Sequence, residues 1–277
     1  MICKNDLHIY GENHRILLRA NEFICLRPHP GLTGCVSNYN ITFPTKNLFF
    51  DDFTIMPSGC ATLTIENDGR NLYTYLDGPT TKPYIAGSQA NQLEMIVTIE
   101  FKPAGLFAIT GVNQSEITDK TISFDVINPI LNKLISDIVE NTCSVLDLVS
   151  GLDMLLLENI SAIHHPQLGL IFHNILSCAG NTTLKKLSED IYYSERQLNR
   201  IFKQHVGVSA KSFARLIRIN NAFRLLKRPG NSLTFVSDVT GFHDLSHFIR
   251  DFKMVCGVTP QEYRKNMSAF YNNTTRL

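Results

Sequence analysis

A nine-residue pattern occurs twice in this chain, fifty residues apart and without a gap. The stretch IFKQHVGVS, at Ile201–Ser209, is echoed by DFKMVCGVT, at Asp251–Thr259. The similarity extends outward on both sides, so that Arg200 pairs with Arg250. A tandem repeat of this kind indicates that the C-terminal part of the chain is built from two related units.

Each copy has the sequence form of a helix-turn-helix, in which a short helix and a tight turn precede a second helix with a polar and basic outer face. Apolar residues predict which side of each second helix faces the core. These residues are Leu198, Ile201 and Phe202 in the first copy and Phe248, Phe252 and Val255 in the second. Gly207 and Gly257 follow the helices and are expected to end them. The two motifs are predicted at residues 183–206 and 232–256.

The spacing of the copies suits two successive contacts on one DNA duplex. A helix of about eighteen residues between them is roughly 27 Å long at 1.5 Å per residue. Such a rod could hold two recognition helices about one DNA turn apart, roughly 34 Å, on one face of the duplex. One chain would then read two successive segments of the major groove.

The second copy also resembles a known family. The segment GFHDLSHFIRDFKMVCGVTPQEYRK, at Gly241–Lys265, is similar to the C-terminal signature of AraC/XylS-type transcription regulators. The signature elements stand at Gly241-Phe242, Ser246-His247-Phe248, Arg250, Phe252-Lys253, Gly257, Thr259-Pro260 and Tyr263-Arg264. With the first motif, the resemblance covers about a hundred residues. It implies a transcription regulator that binds double-stranded DNA and acts with RNA polymerase.

Residue roles follow from this resemblance by position. The residues expected to face bases are Arg196, Asn199, Arg200, Ser246, His247 and Arg250. Arg can donate two parallel hydrogen bonds to guanine, and Asn can bond adenine in the same way. Leu245 departs from the polar residue common in the family, which leaves only contact with a thymine methyl group open there. The residues expected at phosphates are Ser194, Lys203, Ser209, Lys253 and Thr259.

Charge is distributed unevenly along the chain, although the formal net charge is only +1. From His165 onward there are sixteen Lys and Arg against seven Asp and Glu, whereas residues 1–164 hold ten against eighteen. A basic C-terminal part joined to an acidic N-terminal part suggests that the former meets a polyanion.

The N-terminal part has a different pattern. Short runs rich in Ile, Val, Thr and Phe, separated by turn residues, predict an antiparallel β-barrel or sandwich over residues 1–125. Helical periodicity follows at 128–161, and Ala162–Gly169 is the expected linker because Pro and Gly both interrupt helices. The predicted fold class is therefore α+β, with a sensor and dimerisation domain at 1–162 and an all-α DNA-binding domain at 168–277.

The family resemblance implies a cupin-like barrel here that binds a small-molecule effector, followed by helices that pair two chains. The turns RPHPG, at Arg27–Gly31, and FKPAG, at Phe101–Gly105, resemble turns in the sensor domain of one poorly characterised subset of these regulators. The helix at about Val145–Ile160 is more apolar than packing on a barrel requires. We therefore expect part of it to form a homodimer contact through Leu148, Leu152 and Leu155, with burial against the barrel as the alternative.

Other function classes receive less support from the sequence. Metal sites need converging histidines and carboxylates, but residues 1–160 hold only His8, His14 and His29, without an H-x-H pair. Catalytic motifs such as G-x-S-x-G and H-E-x-x-H do not occur, and neither does the cysteine cluster of a DNA-repair methyltransferase. The expectation is no enzyme, no metal and no cofactor.

The seven cysteines are irregularly spaced, which argues against a disulfide framework. A thiol-based redox response through Cys25, Cys35 or Cys60 remains an alternative, since Cys25 shares a strand face with Arg27. The sequence shows neither a membrane span nor the apolar core of a signal peptide, so a cytoplasmic location is expected.

Overall fold

The computed structural model describes residues 1–11, 14–51, 54–160 and 166–265. Residues 161–165, which hold half of the expected linker, and residues 266–277, at the end of the expected DNA-binding domain, lie outside the described residues. Within the described part of the chain, no helix combines the length and apolar character needed to cross a membrane.

The N-terminal half is built on an antiparallel sheet, as the sequence predicted. Its strands, and those of a two-stranded companion sheet, are β1 (Ile16–Arg19), β2 (Phe23–Leu26), β3 (Val36–Thr42), β4 (Thr54–Ile55), β5 (Thr62–Asn67), β6 (Leu72–Asp77), β7 (Tyr84–Ile85), β8 (Met95–Phe101) and β9 (Thr121–Ser123). Seven strands pair in the order β1-β2-β3-β8-β5-β6-β9, while β4 pairs with β7. All of these pairs are antiparallel.

The two faces of the large sheet differ in character. Tyr39 lies opposite Ile99, and Ile41 opposite Val97, and these side chains are fully buried in the N-terminal core. Because side chains alternate along a strand, polar residues such as Asn40 point to the other face. One face of the sheet therefore carries the apolar core, and the other is available for a polar cavity.

Helices account for most of the remainder. They are α1 (Asp6–Ile9), α2 (Gly105–Thr110), α3 (Gln114–Ile117), α4 (Phe124–Ile127), α5 (Pro129–Asn141), α6 (Val145–Glu158), α7 (Pro166–Ser177), α8 (Leu184–Asp190), α9 (Glu195–Val206), α10 (Ala210–Leu226), α11 (Leu233–Val239), α12 (Leu245–Cys256) and α13 (Pro260–Lys265). Two short 3-10 helices lie at Pro30–Leu32 and Gln89–Gln92.

Helix α6 packs onto the sheet, which corrects the assignment of its leucines to a contact between chains. Leu148 and Leu152 are 0% exposed and Leu155 is 8% exposed, all within the N-terminal core. Their apolar spacing reflects burial inside one chain, so these three side chains are unavailable to a partner. The alternative left open by the sequence, burial against the sheet domain, is the arrangement found.

Helix α7 begins earlier than the sequence suggested. The sequence predicts a linker at Ala162–Gly169 because Pro166 and Gly169 both interrupt helices, but α7 runs from Pro166. Proline fits the first turn of a helix because the amide hydrogen it lacks has no intrahelical partner there. Gly169 lies inside the helix with open space around it, so only the low helix propensity of glycine disfavours the helix at this position.

The C-terminal helices form two small cores joined by α10. The first half of α10 contributes Phe213 and Ile217 to the core around α8 and α9. Its second half contributes Ile219 and Phe223 to the core around α11 and α12. One helix thus belongs to both helix-turn-helix units and fixes their separation.

Candidate nucleic-acid interface

The first recognition helix, α9, begins and ends as its sequence dictates. The Ser194 hydroxyl accepts a hydrogen bond from the Gln197 amide at 3.2 Å, which satisfies one of the free donors at the helix start. Gly207 ends the helix with φ 89°, a left-handed conformation that favours glycine. Leu198 and Phe202 are 0% exposed, which fixes the rotation of the helix and turns its polar side outward.

The polar side of α9 gathers the residues predicted to read DNA. Arg196, Arg200 and Lys203 are exposed and Asn199 is half-buried. Together with Ser194 and Gln197, these side chains line one shallow, open depression. In the part of the chain that the structure describes, no carboxylate lies within ion-pair distance of these three cations. Their charges are therefore available to an external anion.

The second recognition helix, α12, has a different cap. The Asp244 carboxylate accepts a hydrogen bond from the His247 amide at 2.6 Å. That bond, and then the neighbouring His243, hold the pKa of the Asp244 carboxyl below its usual range. Gly257 ends the helix with φ 74°. A negative cap in place of the Ser194 hydroxyl makes the start of α12 less favourable for a phosphate than the start of α9.

Some of the α12 residues predicted to contact DNA are exposed, and others are partly buried against neighbouring side chains. Ser246, Arg250 and Lys253 are exposed, as expected for DNA contacts. The His247 side chain is only 30% exposed, and its Nε2 lies 3.4 Å from the buried Asp251 carboxylate. Leu245 is half-buried against the second core, so contact with a thymine methyl group would use only part of its side chain.

Ser209 and Thr259, expected at phosphates, serve first as caps of the following helices. The Ser209 hydroxyl accepts from the Ser212 amide at 3.0 Å, and the Thr259 hydroxyl accepts from the Glu262 amide at 3.2 Å. Both residues are half-buried. Their hydroxyls hold helix starts in place, and a phosphate contact would have to share them.

Three cations on α10 escaped the sequence analysis. Lys211, Arg215 and Arg218 line a cleft with His247 and Arg250 of the second recognition helix. Arg215 Nε also lies 3.3 Å from the Asp251 carboxylate. The signal was present, since positions 211, 215 and 218 share one helix face by the i, i+4, i+7 rule. Helix α10 therefore does more than set the spacing of the two units, since the side that carries these three residues adds to the basic surface of the second recognition helix.

The N-terminal domain contacts the far end of α9 directly. The Thr118 hydroxyl donates a hydrogen bond to the Gly207 carbonyl at 3.0 Å. The centroids of the Phe107 and His205 rings are 3.9 Å apart. A Cβ on Gly207 would come within 2.6 Å of Thr118 Oγ1 and 2.9 Å of Pro79 Cγ. The first recognition helix is therefore held at its C-terminal end and is exposed at the end that carries the base-facing residues.

The RPHPG turn has a structural explanation in a buried carboxylate. Asp153 of α6, 4% exposed, accepts hydrogen bonds from Arg15 Nη2 at 2.6 Å, the His29 amide at 2.9 Å and the Tyr39 hydroxyl at 2.9 Å. Burial, and then the Asp153 charge, raise the pKa of Tyr39. This network ties the turn to the helix behind the sheet through the His29 backbone amide, and the His29 Nδ1 accepts from the Gly31 amide at 3.1 Å.

The structure offers the cysteine alternative little support. All seven cysteines lie in the described part of the chain, and none of them is in a disulfide. Burial, and then the nearby Glu100 charge, raise the pKa of the Cys25 thiol to about 12, and burial also raises the pKa of Cys35. A redox sensor needs a readily formed thiolate, and a raised pKa suppresses it. The expected help from Arg27 is outweighed by burial and by Glu100.

Comparison with known proteins agrees with this geometry. Residues 187–266 match the family model described as a helix-turn-helix domain, and residues 25–123 match a domain of unknown function, DUF6597. The chain is 31% identical over 87 residues to the uncharacterised HTH-type transcriptional regulator YisR of Bacillus subtilis, covering 31% of this chain and 30% of that protein. It is 39% identical over 72 residues to the HTH-type transcriptional regulator MtrA of Neisseria gonorrhoeae, covering 26% of this chain and 24% of MtrA.

Among solved structures, the chain is similar to a probable AraC family transcriptional regulator from Rhodopseudomonas palustris. The identity is 25% and the TM-score 0.33, over 36% of this chain and 95% of that one. The matches to YisR and MtrA span less than a third of the length of either protein. Residues 187–266 are therefore an AraC-type helix-turn-helix domain, and a DUF6597 domain precedes it at residues 25–123.

Proposed function

We propose that this protein is a sequence-specific transcription regulator that reads two successive major-groove segments of duplex DNA and responds to a small molecule through its N-terminal domain. The observation that carries the proposal is the pair of recognition helices, each with exposed polar and cationic side chains. The base-facing roles of Arg196, Asn199, Arg200, Ser246, His247 and Arg250 are part of this proposal. So are the phosphate contacts of Ser194, Lys203, Ser209, Lys253 and Thr259.

Electrostatics supports the DNA part of the proposal. Arg200 and Arg250 hold equivalent positions in the repeat, and neither has an ion-pair partner among the described residues. An exposed Arg without an ion-pair partner can donate two parallel hydrogen bonds to guanine or bind a backbone phosphate. The additional cations of α10 would face the DNA backbone between the two recognition helices.

The experiment is selection from a random duplex library with the full-length protein, followed by measurement of affinity at several salt concentrations. We expect an enriched motif with two parts about one helical turn apart, and affinity that falls steeply with salt because counterions are released on binding. A selection that enriches no motif, with weak binding to all duplexes alike, would contradict the proposal.

Support for the small-molecule response comes from the contact between the two parts of the chain. Thr118, Phe107 and Pro79 touch the end of α9, so a change in the sheet domain can reach the first recognition helix through adjacent atoms. Action with RNA polymerase, as an activator, is the outcome that the family resemblance favours. We propose no catalytic step.

We also propose that the protein is a homodimer, with a contact different from the one the sequence suggested. The described chain leaves Val126, Ile130 and Leu134 of α4 and α5 exposed at 73%, 74% and 42%. Ile130 and Leu134, four residues apart, form an exposed apolar stripe on α5, and Val126 lies in the short helix just before it. A second copy of the chain would cover that stripe across a two-fold axis.

A further inference from the structure

The polar face of the large sheet holds a cavity of about 770 Å³. Side chains from β3, β5, β6 and β8 form its floor, including Asn40, Thr64 and Thr98. Tyr84 of β7 and the 3-10 helix at Gln89–Gln92 lie over it. A space of this size is typical of sites for small organic ligands, so its lining defines the class of ligand that it can hold.

The charge of the lining has one sign. Its carboxylates are Glu66, Asp68, Asp77 and Glu100, and among the described residues that line it there is no Lys, Arg or His. Glu100 is 7% exposed and accepts hydrogen bonds from the Asn38 and Asn40 amide groups at 3.3 and 3.2 Å. Those neutral donors orient the carboxylate without adding positive charge to the cavity.

The concentration of carboxylates in the cavity disfavours the ionised form of Glu66. Burial, and then the neighbouring Asp77 charge, raise the pKa of Glu66 above its usual value. A raised pKa means that the ionised carboxylate is disfavoured in its present surroundings. A cation placed between these groups would reverse that penalty, since an opposite charge within a few ångströms favours the ionised form.

Aromatic rings complete the lining and indicate an organic cation. Phe23, Phe49, Tyr75 and Tyr84 border the same space. Ring faces attract alkylammonium groups, which pair a positive charge with apolar surface. A metal ion is a poorer fit, because the described residues include no group of three or more His, Cys, Asp or Glu side chains that could hold one.

We propose that this cavity binds an organic cation, an ammonium or similar onium group with an apolar substituent, between the carboxylates and the aromatic rings. The inference rests on the proposed small-molecule response and names the chemical class of the effector. The cavity also adjoins the contact with the DNA-binding part. Asp77 lies two residues before Pro79, and Thr121 lies three residues after Thr118, so both cavity strands run directly into the segments that touch Gly207.

The test is isothermal titration of the full-length protein with two cations of different size, benzyltrimethylammonium and tetraphenylphosphonium. Benzoate and tetraphenylborate are the matched anionic controls, the latter with nearly the same shape as its cationic counterpart. We expect at least one cation to bind with one site per chain and neither anion to bind. Glu66→Gln should weaken cation binding about ten-fold through loss of a charged contact, whereas Glu140→Gln, on the exposed face of α5, should not change it.

Circular dichroism and thermal unfolding establish that each variant is folded. If Glu66→Gln fails to fold, Tyr75→Leu removes an aromatic wall and should also weaken cation binding. The proposal is overturned if neither cation binds, if an anion binds as well as its matched cation, or if the Glu66 and Glu140 variants behave alike. DNA binding is measured on the same samples without cation, so failure of the cavity inference is distinguishable from failure of the DNA-binding function.

Discussion

At the scale of single residues, equivalent positions of the repeat have different surroundings. Arg200 stands among Arg196, Asn199 and Lys203 on an exposed surface without an ion-pair partner in the described chain. Arg250 lies beside a cleft that contains His247 and the buried Asp251 carboxylate. The first helix thus offers more side chains able to read base edges, while the cleft beside the second adds Lys211, Arg215 and Arg218 of α10 for the DNA backbone.

This difference predicts different effects of the same substitution. Arg200→Ala should remove a bidentate contact worth about 1–3 kcal/mol and relax the preference at one base pair. Arg250→Ala should instead lower affinity for all sites alike and flatten the salt dependence. Competition between matched and mismatched half-sites separates the two outcomes. Equal loss on both half-sites for Arg200→Ala would contradict the assignment.

At the scale of elements, the sequence predicted the helix ends well because they depend on local chemistry. Caps at Ser194 and Ser209 and the glycines at 207 and 257 act within a few residues of the helices that they end. The start of α7 was missed because Pro166 can either precede a helix or begin one. The partner of α6 was left open between the sheet domain and a second chain, since an apolar stripe shows that a face is buried and not what buries it.

The turns inside the two helix-turn-helix motifs, between α8 and α9 and between α11 and α12, are not identical. The fifty-residue repeat in the sequence does not reveal this difference. Helices α8 and α11 are related by forty-nine residues and α9 and α12 by fifty, so the second turn is one residue longer. In this register Tyr192, with φ 57°, corresponds to Gly241, with φ 74°. Tyr192 is 96% exposed, whereas a Cβ on Gly241 would meet the Asn181 side chain at 2.4 Å. A side chain at the second turn would therefore displace the exposed Asn181 side chain, a cost that the first turn does not carry.

We predict that Gly241→Ala lowers the free energy of unfolding by about 1–2 kcal/mol, since the left-handed conformation and the Asn181 contact both oppose a methyl group. Gly169→Ala is the matched control, because that glycine lies in α7 with open space around it, and it should raise stability by about 1 kcal/mol. Urea denaturation measures both. Changes of the same sign would show that the turn is not constrained as described.

At the scale of the whole molecule, the exposed apolar stripe of Ile130 and Leu134 on α5 predicts the oligomeric state. Ile130→Glu combined with Leu134→Glu should convert a dimer into monomers, because two charges would be buried in a two-fold apolar contact. Leu176→Glu on α7, which replaces a leucine that is 48% exposed elsewhere, should leave the dimer intact. Sedimentation velocity distinguishes these species. A wild-type protein that sediments as a monomer at every concentration tested would exclude the contact.

The contact between the sheet domain and α9 was beyond sequence reasoning, because Phe107, Thr118 and Pro79 follow no periodic pattern that marks them as an interface. It predicts a difference between the two motifs that share one fold. Phe107→Ala removes the ring against His205 and should accelerate amide hydrogen exchange about ten-fold at residues 201–207. The equivalent residues 251–257 should be unaffected, since the sheet-domain residues near them are others: Met56 packs against the second core, and Pro83 Cγ lies 3.6 Å from a Cβ built on Gly257. Exchange followed by mass spectrometry compares both segments in one sample, with Phe235→Ala as an exposed control. Equal acceleration in both segments would mean general destabilisation, whereas a change confined to the first would show that the Phe107 contact stabilises the first recognition helix and not the second.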